Sequence, residues 1–350
     1  MRSLYPVLIR LVFCLVFLAG AFPGLSHSAE KSEPPLAERV AGMRFSATLP
    51  FSTRVSQEEA SLVAETAATD AAMQYLMRLL VTLPEVRIAG GNASSPVKAP
   101  NLLALAHASA ETEVLLVSRS KKNSTVTVTV TFKQPALGNS METRVRETLI
   151  HADRLGLYEE TVLREKELCR LYETALGESR GGKKTPPGAI VDELKALRTF
   201  KLMLPQWNGV WKNPAEAQST LKNALRLAPD SPLLHNAVGD ASLQLGRSQE
   251  AVEEQTLAIK AMPSFARAYH SRGVARLALG LLSSSVADFS EAIRLSPLTA
   301  AYHRDRGVAR HLLGETAPMC ADLYEACTLG DCEKLHWAVE NAFCSPASFK

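Results

Sequence analysis

Long apolar runs, surplus charge and cysteine are all scarce in most of these 350 residues, and each scarcity excludes something. The one conspicuous apolar run, Leu11 to Phe22, holds twelve residues, short of the roughly 20 that a helix needs to span a bilayer. The net charge is +3, too close to neutral to support a nucleic-acid partner. The short run Arg119, Lys121 and Lys122 is broken by serine and reads as a solvated turn. Catalytic patterns are missing as well. Gly90-Gly91 lacks the glycine spacing and the preceding strand of a phosphate cradle. No Ser/His/Asp, Cys/His, paired-carboxylate or metal-ligand arrangement emerges, which argues against an enzyme and against a cofactor.

The N-terminus reads as an export signal. Arg2 and Arg10 precede or flank the apolar run, and Ser26-His27-Ser28 resembles a small-x-small cleavage site. Residues 1–28 are therefore expected to be removed and the chain to be periplasmic or secreted, the alternative being an uncleaved segment that anchors it. Roughly 320 residues then remain, too many for one compact core and suited to two or three units.

After a polar tether, Arg39 to Arg54 alternates loosely and reads as an opening strand. Ser56 followed by Glu59 offers a reciprocal helix cap, and an alanine-rich helix runs on to Pro84. Residues 88–100 form a loop, and a short helix covers Asn101 to Ser109. Glu113–Ser120 and Thr125–Phe132 read as two strands, the second alternating valine and threonine as a sheet with one packed side requires. This small α+β domain, 39–135, resembles that of Lpp20-like lipoproteins and of the N-terminal part of FlgT-type flagellar-assembly proteins, where an alanine-rich helix also precedes strands ending in Val-x-Val-x-Val. The resemblance implies an envelope assembly or scaffold role. A charged amphipathic segment, 140–177, follows as one helix or as two broken near Gly156, packed on its neighbours or forming a dimer stalk. Residues 178–188, rich in glycine, proline and charge, read as an interdomain linker.

The most specific signal is a 34-residue period beyond the linker, in 189–350. Gly273-Val274-Ala275-Arg276 recurs as Gly307-Val308-Ala309-Arg310; Ala224, Ala258, Ala292 and Ala326 repeat strictly, as do Pro229, Pro263 and Pro297. Small residues at fixed slots let paired helices approach, and proline ends each pair. Residues 198–331 resemble the tetratricopeptide repeat family, with glycine at its position 8, alanine at 27 and proline at 32; position 20 holds Ala217 and Ala251 but departs to Ser285 and Met319. The fold class implied is α+β, a small N-terminal domain followed by a helical solenoid with a C-terminal cap helix. Family positions 2, 5, 9, 12 and 13 line a groove, and carry over to Asn236, Asp240, Gln244, Arg267, His270, Arg304 and His311 as candidate contacts with a peptide or protein. Pro205 falls in the glycine slot of the first unit, so Trp207 and Trp211 are expected to cover the apolar end of the array. Arg272, Arg276, Arg306 and Arg310 depart from the pattern and are expected to pair with Asp288 and Asp322.

Cys320, Cys327, Cys332 and Cys344 crowd the last 31 residues. Their spacing lacks the tight pair of a zinc site. Cys320 and Cys327 stand about 10.5 Å apart along one helix, beyond the roughly 7 Å a disulfide spans. An antiparallel pair turning at Gly330 predicts nested bonds Cys327–Cys332 and Cys320–Cys344, with Cys320–Cys332 plus Cys327–Cys344 as the alternative. The bonds would staple a cap helix whose Leu335, Trp337 and Phe343 cover the array's end. Three functions follow: a non-catalytic envelope scaffold gripping a protein in the groove, peripherally associated with the envelope; a structural subunit of an envelope complex; and, third, an envelope enzyme with an unrecognised site.

Overall fold

The computed structural model describes residues 36–51, 55–80, 83, 102–120, 124–133, 144, 152–177 and 187–345. The signal segment, the 88–100 loop, nearly all of the 178–188 linker and all but Arg144 of 140–151 lie outside them. Among the described residues no helix is long and apolar enough to cross a membrane.

The N-terminal part opens with a short helix, α1 (Leu36–Val40), before strand β1 (Phe45–Pro50). The strand expected from Arg39 therefore starts six residues later. Leu36 and Val40 lie one turn apart and are both buried, which favours helix over strand at that spot. Helix α2 (Gln57–Leu80) begins at the reciprocal cap: the Ser56 amide donates to Glu59 Oε2 at 2.7 Å, and the Glu59 amide donates to Ser56 Oγ at 3.1 Å. Its alanines at four-residue spacing, Ala60, Ala64, Ala68 and Ala72, are wholly buried, so α2 lies close on the sheet. Helix α3 (Leu102–Ser109) and strands β2 (Thr112–Ser120) and β3 (Thr125–Phe132) complete this part. The sheet is antiparallel in the order β1-β3-β2. Val126, Val128 and Val130 face the core, while Thr127 and Thr129 share hydroxyl hydrogen bonds of 2.7 Å with Thr48 and Ser46 on the open face. Strand β2 is an edge with a bulge at Leu115, and Val114 to Val117 are exposed.

Helix α4 (Ala152–Gly177) passes through Gly156 unbroken, the first of the two alternatives read from the sequence. Helix α5 (Pro187–Met203) starts inside the expected linker, because Pro187 occupies the first turn, where an amide has no helical partner. A 3₁₀ turn, Leu204–Gln206, then ends it at Pro205. Trp207 and Trp211 form an antiparallel bridge, are only 4% exposed, and stand with ring centroids 6.5 Å apart. They fill the core where α5 meets the array, so the array's first end is buried rather than merely covered.

The array comprises α6 (Pro214–Leu225), α7 (Pro232–Gln244), α8 (Ser248–Ala261), α9 (Ala266–Ala278), α10 (Leu282–Leu295), α11 (Ala300–Leu312) and α12 (Thr316–Thr328). Ala224, Ala258, Ala292 and Ala326 are all buried. A Cβ on Gly273 would stand 2.7 Å from Phe289, and one on Gly307 2.9 Å from Leu323, so glycine lets the crossing helices meet there without either side chain shifting. Gly246, Gly280 and Gly314, also 34 residues apart, adopt φ of +73°, +74° and +77° and close the turn within each pair. Cap helix α13 (Glu333–Glu340) is held by the disulfides Cys320–Cys344 and Cys327–Cys332, with Cα separations of 5.7 and 4.0 Å. One apolar cluster runs from Leu36 to Ala268, so the α+β part and the first half of the array share a single core. A second surrounds Met319, Leu323 and Ala338 at the cap.

Candidate functional site

Helices α7, α9 and α11 are the first members of successive pairs, each touching the next, and their shared side carries the groove positions expected from the sequence, here termed the inner face. Their candidate residues divide into three groups. Asn236 is buried, against expectation: its Nδ2 donates to Gln255 Oε1 at 2.7 Å, and Gln255 Nε2 donates back to its backbone carbonyl at 3.0 Å. Gln255 fills the slot that holds Phe289 and Leu323 in later units, and a buried amide there demands a polar partner. Asn236 supplies it and cannot also hold a peptide. Gln244 is exposed, with Oε1 accepting from the Trp211 amide at 2.8 Å, so it fastens the tryptophan bridge.

The second group meets α4. Arg267 reaches Glu160 Oε2 at 3.4 Å, and Gly156 lies so close that a Cβ there would stand 3.0 Å from the guanidinium. Six residues before Glu160, Arg154 Nε donates to the Trp207 carbonyl at 2.6 Å. Asp240 accepts from Gln255 Nε2 at 3.1 Å. Burial pushes its carboxyl up, against the pull of Ser271, Arg267 and His270, and burial likewise raises Glu160 against Arg267. The protein's own helix thus lies against the start of the inner face.

The third group lies beyond α4. His270 Nε2 is 2.7 Å from Asp305 Oδ2, and its ring is 4.7 Å from that of Tyr302. Arg304 donates to Asp305 from Nε at 2.7 Å and to Asp331 from Nη1 at 2.9 Å. Burial alone would raise Asp305, but His270 and Arg304 hold it below the usual carboxylate range. His311 packs edge-on against Trp337 and Phe343 at 5.3 and 4.9 Å. Both aromatic residues are 41% exposed, so they cover the end of α11 with one side and present the other to solvent. Sequence spacing brings His270, Arg304 and His311 to one face; the aspartates that neutralise Arg304 come from a neighbouring residue and a distant turn, which no period reveals.

Away from the inner face, the arginine departures resolve as an ion-pair ladder. Asp288 accepts from Arg272 Nη2 and Arg276 Nη1, both at 2.8 Å; Asp322 accepts from Arg306 Nη2 at 2.7 Å and Arg310 Nη1 at 2.8 Å. His235 lies between Glu254 and the Pro229 carbonyl, 2.7 Å from each. No motif announced this pairing. Half-buried Cys169, unpaired as a disulfide, has its thiol pushed up to about 12 by burial. Among the described residues, no group of His, Cys, Asp and Glu could hold a metal ion.

Residues 212–266 match the tetratricopeptide repeat family profile. A search among curated proteins finds no match. Among solved structures, the first repeat domain of Spaghetti (RPAP3), bound to the HSP90 peptide SRMEEVD, is 23% identical, covers 36% of this chain and 94% of its own, and superposes with a TM-score of 0.31. A thermophilic tetratricopeptide-repeat protein of Thermus thermophilus is 22% identical over 41% of this chain and 75% of its own, with a TM-score of 0.33. A MamA fragment from Desulfovibrio magneticus is 18% identical over 47% and 85%, with a TM-score of 0.34. With the profile match inside it and its glycine and alanine slots at the helix crossings, the helical array from α6 to α12 has the tetratricopeptide-repeat fold.

Proposed function

We propose that this chain is a non-catalytic scaffold of the bacterial envelope that holds a protein or peptide partner along the open part of its inner face, α9 and α11. The observation that carries this reading is the division of that face. Helix α4 lies against its beginning through Arg267 and Glu160, while Val274, Val308, His311 and Leu312 beyond it are not fully buried. A stacked repeat array offers such a concave strip to another macromolecule. Export is supported by the signal-like N-terminus and by two disulfides, which persist in oxidising compartments. The N-terminal domain, with its likeness in pattern to envelope proteins, would dock elsewhere in the envelope.

The test is affinity capture from an envelope extract with the wild type and with Val274→Glu/Val308→Glu, after circular dichroism confirms that both fold. Loss of one discrete partner supports the strip; unchanged recovery of that partner overturns it. N-terminal sequencing of the exported protein is expected to begin after Ser28, and an intact N-terminus in the membrane fraction would favour anchoring.

The second reading, a structural subunit packed into a larger complex, is favoured by the exposed β2 edge, where Val114, Leu115, Leu116 and Val117 are 41–57% exposed. Bare edges of this kind pair with other strands. Recovery of a large assembly that depends on Leu116→Lys and not on the inner-face pair would establish it.

A further inference from the structure

The cap carries a feature that stapling does not require. Trp337 and Phe343 are stacked, with centroids 5.4 Å apart and planes at 26°, and each is 41% exposed. Exposed paired aromatics are costly to leave in water and mark contact surfaces. Glu333, Trp337 and Glu340 follow one another at spacings of four and three on α13, which puts them on one stripe of the helix. Both glutamates are exposed, and among the described residues Glu340 has no cation beside it. Among the described residues Glu333 is met by its neighbour Lys334, at 3.0 Å, with Arg304 close enough to add to the pull that holds its carboxyl below the usual range. From 315 to 345 the chain has six carboxylates and one lysine. Asp322 and Asp331 are answered by arginines of α11, and Glu315 by Arg310 at 3.9 Å, which leaves Glu325 on α12 and Glu333 and Glu340 on the cap as the exposed carboxylates of this stretch. His311 touches both rings from α11, so the platform is continuous with the inner face.

An aromatic face between carboxylates is complementary to a guanidinium, which stacks on the ring while its edge pairs with an acid. We propose that this platform is the docking site for a basic, arginine-bearing segment of the partner; this rests on the reading of the inner face as a partner-binding strip. An acidic segment meets like charge here. A second copy of the chain would bring two acidic caps together, which disfavours self-pairing through this surface.

The probe is a labelled nonapeptide of alternating arginine and alanine, with a glutamate–alanine counterpart, followed by anisotropy against the full disulfide-bonded chain. Trp207 and Trp211 are buried, so Trp337 also reports binding at its own site by fluorescence. Saturable binding of the arginine peptide is expected, weakened roughly tenfold by Trp337→Leu and by a similar factor by Glu333→Gln/Glu340→Gln, with no binding of the glutamate peptide. The glutamines lie on the exposed surface and keep the test valid if the tryptophan variant folds poorly. Equal binding of both peptides, unchanged binding by the glutamine variant, or Trp337-dependent self-association without peptide binding would each overturn the proposal. Because Val274 and Val308 are untouched, failure here leaves the capture result standing, and failure there leaves this one readable.

Discussion

Arg267 of the repeat array and Glu160 of α4 form an ion pair of 3.4 Å across the inner face, with the absent side chain of Gly156 making room for the guanidinium. Both partners are mostly shielded, at 19% and 29% side-chain exposure. The contact joins segments 107 residues apart and holds the protein's own helix α4 against the start of α9.

Replacing Glu160 with Gln is expected to loosen the first half of α4 by about 1 kcal/mol without unfolding the array, because this long, partly solvated pair is worth about as much as a surface pair. Native-state hydrogen exchange of residues 152–165 checks this: faster exchange there, with α9 and α11 unchanged, is the expected outcome. Gly156→Leu, which drives a side chain into Arg267, should produce the same pattern.

The ion-pair ladder is expected to be sensitive to loss of its acids. Asp288 is 5% exposed at its side chain and faces two arginines. Asp288→Asn leaves both without a counter-charge and should cost about 3–5 kcal/mol, as should Asp322→Asn. Urea unfolding measures it, and a loss below about 1 kcal/mol, the value of a surface pair, would show that solvent replaces the aspartate.

His235 gives a pH dependence. A carboxylate and a carbonyl can only accept, so both ring nitrogens must carry protons and the imidazolium is the bound form. Burial alone would lower its pKa, but Glu254 and Pro229 raise it above the ordinary value. A raised folded pKa contributes stability in full below the unfolded value of about 6.5, lost as pH rises through the folded value. Stability should therefore fall from pH about 6 toward alkaline pH, and His235→Gln should flatten that component of the urea midpoint profile.

The glycine slots are expected to rank by what faces them. Gly273→Ala meets the rigid ring of Phe289 and should cost about 1–3 kcal/mol by overpacking. Gly307→Ala meets the flexible end of Leu323 and should cost less, since the helix gains about 1 kcal/mol from alanine. Thermal melts of the two variants decide the order.

The Cys320–Cys344 bond closes a 24-residue separation and should contribute about 3 kcal/mol to holding α13. Reduction is expected to expose residues 333–343 to exchange first. Non-reducing peptide mapping checks both pairings.

The sequence by itself determined the repeat register, because crossing helices tolerate only glycine or alanine and those slots recur every 34 residues. It determined the cap of α2, since Ser56 and Glu59 act within four residues, and narrowed the cysteines to two pairings by helix rise, of which the structure shows the nested one. The glycines at 246, 280 and 314 were equally periodic and mark the inner turns. Only tertiary structure decided that Asn236 is consumed by Gln255, that Arg304 is neutralised by Asp305 and Asp331, and that α4 meets Arg267. Each depends on a partner outside the local period: periodicity specifies which face a side chain leaves from, while burial and pairing depend on what the rest of the chain brings to that face.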